Sequence, residues 1–242
     1  MGKAANATLD LMTEAPAPPP PAPAAAPSTL LLLVRHGETP TTGTVLPGRA
    51  PGLHLSERGR AQAQRIAERL AGLKVDAVYS SPLERTAETA APAAAGTGLE
   101  VNHEPGLIEC DFGDWTGAAL ADLTGLPEWQ TVQHAPSVFR FPDGESFARM
   151  QARMVETLEA LRTTHPGGVV VCFSHADPIK AAVAHALGAH LDLFQRIAIS
   201  PGSVSVISYT EGQPPAVLTV NSTAGPLAGL RQPRQGAEDV QP

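Results

Sequence analysis

The densest chemical signal in the sequence is the string Arg35-His36-Gly37-Glu38-Thr39. A phosphate monoester resists nucleophiles until its negative charge is neutralised. A neutral imidazole attacks well near pH 7, and passing through a phosphohistidine divides the transfer into two easier steps. Arg35, next to the imidazole, carries a planar fork that matches phosphoryl oxygens. Gly37 is read as letting the backbone approach the ligand closely. A second histidine, His175, also stands directly after an apolar run. Side chains at the two run ends converge if the runs are neighbouring strands.

The elements that must position these groups are legible as a pattern. Residues 30–35 form a continuous apolar run that reads as a buried parallel strand feeding a turn. Residues 40–52, rich in Thr, Gly and Pro, read as loop. Ser56 then precedes Ala63, Ile66, Ala67 and Leu70 at helical spacing, and Gly72 closes that helix. Residues 75–80 are a second short strand. Ser81-Pro82-Leu83-Glu84 reads as a capping box with proline at the first helical position, which puts Arg85 in the first turn of a helix. A third strand is expected over 99–103. Residues 145–162 carry Phe147, Met150, Met154, Leu158 and Leu161 on one helical face. Gly167-Gly168 separates this helix from a strand over 169–173. A further helix is expected from Asp177-Pro178 to Gly188, and two alternating segments, 204–209 and 216–220, read as final strands. Helices alternating with apolar strands mean an α/β layered sheet, whose ligands sit beyond the carboxyl ends of the strands.

Four separated blocks then match one family in order. They are Leu33-Val34-Arg35-His36-Gly37-Glu38-Thr39; Ser80-Ser81-Pro82-Leu83-Glu84-Arg85-Thr86-Ala87-Glu88-Thr89; Glu109 with Phe112-Gly113-Asp114-Trp115-Thr116-Gly117; and Phe173-Ser174-His175-Ala176-Asp177. The chain resembles the histidine phosphatase superfamily, in its phosphoglycerate mutase-like branch, over nearly all of residues 29–210. The resemblance implies a three-layer α/β/α fold with a mostly parallel mixed sheet. It also implies His36 as the phosphorylated nucleophile. Arg35, Arg85 and His175 would hold the phosphoryl oxygens, and Glu109 would act as general acid and then base. No metal or cofactor is implied, because guanidiniums and an imidazolium supply the positive charge. Family members often carry an asparagine six residues after the nucleophile; Thr42 stands there and is the expected phosphate contact, with a shorter reach. Glu38 is read as shaping the turn. In this superfamily insertions cover the site, which makes Phe139 and Arg140, in the loop-like segment 136–146, candidates for substrate contact. Gly48 and Arg49, in the loop after the nucleophile, are candidates too.

The resulting expectation is a phosphatase acting on a small phosphorylated metabolite. The alternative is a phosphoglycerate mutase using the same groups. A non-catalytic phosphate-binding module is the more distant rival, since the nucleophile and acid are both retained. The net charge of −7 argues against nucleic-acid and anionic-membrane partners. No apolar run approaches the roughly 20 residues of a membrane span. Cys110 and Cys172 form no CxxC pair and read as free thiols in a reducing cytoplasm. The remaining histidines, His54, His103, His134, His165, His185 and His190, show no paired ligand spacing with a third donor and read as solvent or packing residues. The N-terminus lacks the apolar stretch of a secretory signal. The expected organisation is a Pro/Ala-rich tail over 1–28, a phosphatase domain over 29–221 and a second tail over 222–242, as monomer or homodimer.

Overall fold

The computed structural model describes residues 27–231. Most of both expected tails, 1–26 and 232–242, lies outside the described residues. A six-stranded sheet runs through the centre in the order β3-β2-β4-β1-β5-β6. Its strands are β1 (Ser28–Arg35), β2 (Ala77–Ser80), β3 (Val101–His103), β4 (Val169–Ser174), β5 (Val204–Thr210) and β6 (Ala216–Ser222). The first four are mutually parallel, whereas β5 pairs antiparallel with β1 and β6 with β5. The sheet is therefore mixed, with the parallel part carrying the His-bearing ends.

Successive side chains of a strand point to opposite faces, so β1 feeds two cores at once. Leu30, Leu32 and Val34 pack with Ile66, Leu70, Ala90 and Ala93, from α1 (Glu57–Leu70) and α2 (Glu84–Thr97). Leu31 and Leu33 pack with Met154, Leu158, Ile179 and Val183, from α5 (Phe147–Thr164) and α6 (Ala176–Ala186). Helices on both faces give the three layers. Leu31, Leu32 and Leu33 are all fully buried, each contributing about 1.5–3 kcal/mol. This double burial explains why β1 reads as an uninterrupted apolar run.

Two short helices, α3 (Leu120–Leu123) and α4 (Pro127–His134), follow the Glu109 segment and have too few turns to show a clear period. Beside them, Phe112, Trp115, Phe139, Phe141, Phe147 and Phe194 form a third, aromatic core. Among the described residues no helix is long and apolar enough to cross a membrane.

Packing continues beyond Asn221, where a tail was expected. Leu227 is buried against the first core, and the Arg69 guanidinium donates to the carbonyls of Ser222, Ala224 and Gly225. A Gly- and Pro-rich stretch lacks periodicity, and its order here comes from those carbonyls meeting a buried donor rather than from its own pattern.

The turn after β1 abuts the start of α1. Ser56 caps α1 by accepting from Gly59 N, and Ser56 N and Oγ both donate to Glu38 O. A Cβ on Gly59 would collide with that same carbonyl. Gly59→Ala should therefore lower stability by about 1–3 kcal/mol, the usual range for overpacking. Gly96→Ala, where a Cβ meets open space, should be neutral or slightly stabilising in the same urea titration.

Candidate active site

The pairing of β1 with β4 aligns Arg35 with Ser174, so the residues that follow, His36 and His175, leave adjacent strands side by side. Their rings lie 5.3 Å apart, edge to face. His36 Nδ1 is 2.7 Å from Gly37 O. A carbonyl only accepts, so Nδ1 carries the proton and the Nε2 lone pair is left available. Desolvation first, then Arg85 and Arg35, hold this imidazole down at a pKa of about 3. In an anion-free site it is neutral at pH 7. Gly37 N donates to Thr89 Oγ1, which itself donates to Arg85 O, so the turn is tied to α2. A Cβ on Gly37 would lie 2.5 Å from Gly59 O. The missing side chain thus makes room for α1 rather than for a ligand.

His175 is fully buried. Its Nδ1 accepts from Arg85 Nη2 at 3.2 Å and lies 4.0 Å from Glu109 Oε2; its Nε2 is 2.8 Å from Ser81 Oγ. An arginine only donates, so the proton sits on Nε2 and is given to Ser81. Burial, reinforced by Arg85 and His36, pushes the His175 pKa well down. The expected capping box does not form. The N-cap of α2 is Leu83, without a side-chain cap, because the Ser81 hydroxyl is turned towards His175. Arg85 nevertheless falls in the first turn, as expected.

The two arginines set the electrostatics. Arg85 is fully buried, and only its Nη2 is engaged, by Gly48 O at 2.8 Å and His175. Arg35 Nη1 donates to Ile199 O at 2.7 Å. Arg85 Nε, Arg85 Nη1 and Arg35 Nε are buried with no hydrogen-bond partner. Desolvation lowers both guanidinium pKa values, which Glu109 partly offsets. Buried donors without acceptors are rare and costly, about 1–3 kcal/mol each. Three of them, on residues that share a cavity lining with His36, are chemically suited to an oxyanion, as is the N-terminal field of α2.

Glu109 is 8% exposed and accepts from Cys110 N at 2.9 Å. Desolvation, then repulsion from Asp177, raises its pKa to about 7 against the pull of Arg85. It is thus poised to give or take a proton at neutral pH. The neighbouring Cys110 thiol is buried and its pKa is pushed up, mainly by desolvation.

A cavity of about 400 Å³ opens onto these groups. Arg35, His36, Thr42, Arg85 and Glu109 all line it. The Thr42 hydroxyl accepts from Thr39 N at 2.9 Å and lies 3.0 Å from Thr39 Oγ1, with either hydroxyl able to donate to the other. Beyond the cationic end the wall is apolar (Val45, Leu46, Pro47, Phe112, Leu120) except for Asp177, Lys180 and Gln195, and Lys180 Nζ bonds both of the other two. Four expected substrate contacts are placed elsewhere. Phe139 is buried among Trp115, Phe141 and Phe147, and Arg140 is exposed, donating to Gly144 O. Gly48 meets Arg85 through its carbonyl, and Arg49 turns from the cavity to the Glu109 carbonyl. Ser81, Asp177 and Lys180 were not assigned from sequence. Ser81 and Asp177 sit inside the matched blocks, the one signal that marked them.

The model of the histidine phosphatase superfamily (branch 1) matches residues 31–223. The chain is 36% identical over 198 residues to phosphoserine phosphatase 1 of Hydrogenobacter thermophilus, covering 80% of this chain and 92% of that protein. It is 31% identical over 204 residues to the probable phosphoglycerate mutase GpmB of Cronobacter sakazakii, covering 83% and 94%. Among solved structures it resembles a mutant of phosphoserine phosphatase from Entamoeba histolytica in complex with phosphoserine. That match has a TM-score of 0.73 and 27% identity, covering 81% of this chain and 98% of the other.

Inorganic phosphate should raise the melting temperature of the protein in proportion to the logarithm of its concentration, since a ligand at 100 times its Kd adds about 2.7 kcal/mol. Arg85→Met should abolish that response. If the substituted protein still gained stability from phosphate, the unpartnered guanidinium would not be the receptor.

Proposed function

The chain belongs to the histidine phosphatase superfamily, branch 1, and on that premise we propose that it hydrolyses small phosphate monoesters through a phosphohistidine formed on His36. Membership makes it an enzyme of the phosphatase or mutase kind. The observation that carries the finer reading is that Arg35 and Arg85, with buried donors left unpartnered, line one cavity with His36, whose Nδ1 is bonded to Gly37 O and whose Nε2 is left available.

In the first step the His36 Nε2 lone pair attacks phosphorus, and the bond from phosphorus to the ester oxygen breaks. Arg35 and Arg85 hold the equatorial oxygens and Thr42 lends its O–H, while His175, outside the cavity lining and bonded to Arg85 and Ser81, holds Arg85 in place. Glu109, protonated, gives its proton to the departing alkoxide, so an alcohol leaves. In the second step the Glu109 carboxylate takes a proton from water while the water oxygen attacks phosphorus. The N–P bond breaks, its electron pair returns to Nε2, and inorganic phosphate departs. A pKa of about 7 suits a group that must act in both directions. The alcohol portion faces the apolar wall and the Asp177–Lys180–Gln195 group, in a cavity sized for a small metabolite.

A mutase reading rests on the similarity to the probable phosphoglycerate mutase. It uses the same first step and returns the phosphoryl group to a bound acid. Interconversion of 2- and 3-phosphoglycerate much faster than phosphate release would decide for it.

His36→Ala should abolish phosphate release from p-nitrophenyl phosphate and O-phosphoserine alike, and an acid-labile phosphoryl adduct should appear on His36 of the wild type during turnover. Equal release by both proteins would remove the enzyme reading. For an alkyl phosphate, kcat/KM should fall as pH rises through about 7, because the acid works only while protonated. Glu109→Gln should erase that alkaline limb and slow alkyl phosphates by about 10²–10⁴-fold, but p-nitrophenyl phosphate much less, since its leaving group needs little protonation. Equal losses on both esters would leave Glu109 without a proton-transfer role.

A further inference from the structure

Residues 108–112 belong to no helix or strand, yet they carry Glu109. Its carboxylate has one hydrogen-bond anchor among the described residues, the adjacent Cys110 N. The position of the acid is therefore set by where its backbone is held.

That backbone is held by two guanidiniums. Arg153, on α5, donates through Nη1 to Gly106 O at 2.7 Å and Ile108 O at 2.9 Å, and through Nη2 to Glu109 O at 3.4 Å. Arg49 Nε donates to the same Glu109 carbonyl at 2.8 Å. Both arginines meet one carboxylate, Glu145, which is 8% exposed. Arg49 Nη2 is 2.9 Å from Glu145 Oε2, and Arg153 reaches Oε1 at 3.2 Å and Oε2 at 3.1 Å. Glu145 also fastens the segment through its own backbone, donating N–H to Asp111 O at 2.8 Å. Carbonyls without ladder partners thus receive charged donors, and one buried carboxylate fixes both donors in orientation. Gly48, immediately before Arg49, gives its carbonyl to Arg85. Two consecutive residues thereby link the phosphate-facing guanidinium to the acid-bearing segment.

We propose that Glu145, together with Arg49 and Arg153, positions the general acid: the network sets where the Glu109 carboxyl stands relative to the ester oxygen. The proposal rests on Glu109 acting as that acid. None of the three side chains lines the cavity, so they are positioning residues.

The test is a comparison of Glu145→Gln with Glu109→Gln and wild type in the full chain, measuring kcat and KM on p-nitrophenyl phosphate and O-phosphoserine across pH, with melting temperatures alongside. A misplacement of about 1 Å in a reacting group can cost about 10²-fold. The expected result for Glu145→Gln is a kcat loss on O-phosphoserine of about 10–100-fold, a much smaller loss on p-nitrophenyl phosphate, KM nearly constant, and a displaced alkaline limb. Losses of the same size on both esters, or a lowered melting temperature with an unchanged ratio between esters, would make the network purely structural and overturn the proposal. Should Glu145→Gln fail to fold, Arg49→Gln is read on the same ratio, with the same two outcomes. A Glu109→Gln protein that loses equally on both esters would remove the acid reading itself; a biased Glu109→Gln beside an unbiased Glu145→Gln would remove only the positioning claim.

Discussion

Everything in this molecule is arranged around positive charge that is buried with part of its hydrogen-bonding capacity unmet. Arg85 is fully enclosed, and the Nε and Nη1 donors of Arg85 and the Nε of Arg35 have no protein acceptor. An effective desolvation penalty of several kcal/mol per ion is tolerable only in a framework stable enough to carry it. The central strands provide that framework: β1 and β4 are buried on both faces by four helices. Burial first, and then these guanidiniums, keep His36 and His175 neutral, while the guanidiniums oppose the burial that raises Glu109. An anion with several oxygens would meet all of these demands at once.

Topology turns distant sequence into one locus. Because β4 inserts between β2 and β1, the ends of three neighbouring parallel strands deliver Ser81, His175 and His36 to one edge of the sheet. Hydrogen bonds then fix their orientation: His36 N to Ser174 O, Gly37 N to Thr89, and His175 to Ser81. Strand order thus sets the site, with α2 adding Arg85 and the loops adding Glu109, Thr42 and part of the apolar wall.

Much of this was legible from residue type and spacing. The strands and long helices were visible because a doubly buried strand reads as continuous apolar sequence, and α5 repeats its apolar residues at helical period. The histidines, arginines and Glu109 were found through short strings that stood in a fixed order. What escaped has physical causes. Ser81 carries the pattern of a helix cap, and only the position of His175 shows that its hydroxyl is used elsewhere. Phe139 and Arg140 sit in a loop-like stretch whose direction no pattern encodes; the aromatic residue joined a core and the arginine turned to solvent. Arg49 follows the nucleophile loop in sequence, but its role is set by Glu109 and Glu145, partners from remote parts of the chain that local pattern does not reveal. The order of residues 222–231 likewise depends on Arg69, a partner that local composition cannot reveal.

Cys110 stands one residue from Glu109, and yet it is sealed away and held in its protonated form by burial. Sulfur is nucleophilic and open to peroxide chiefly as an accessible thiolate. The sulfur beside this centre is therefore kept out of redox chemistry, and the polar groups that line the cavity are nitrogen and oxygen donors, which peroxides attack slowly at neutral pH. Peroxide, which oxidises a cysteine chiefly where it is an exposed thiolate, thus finds no such target at this position.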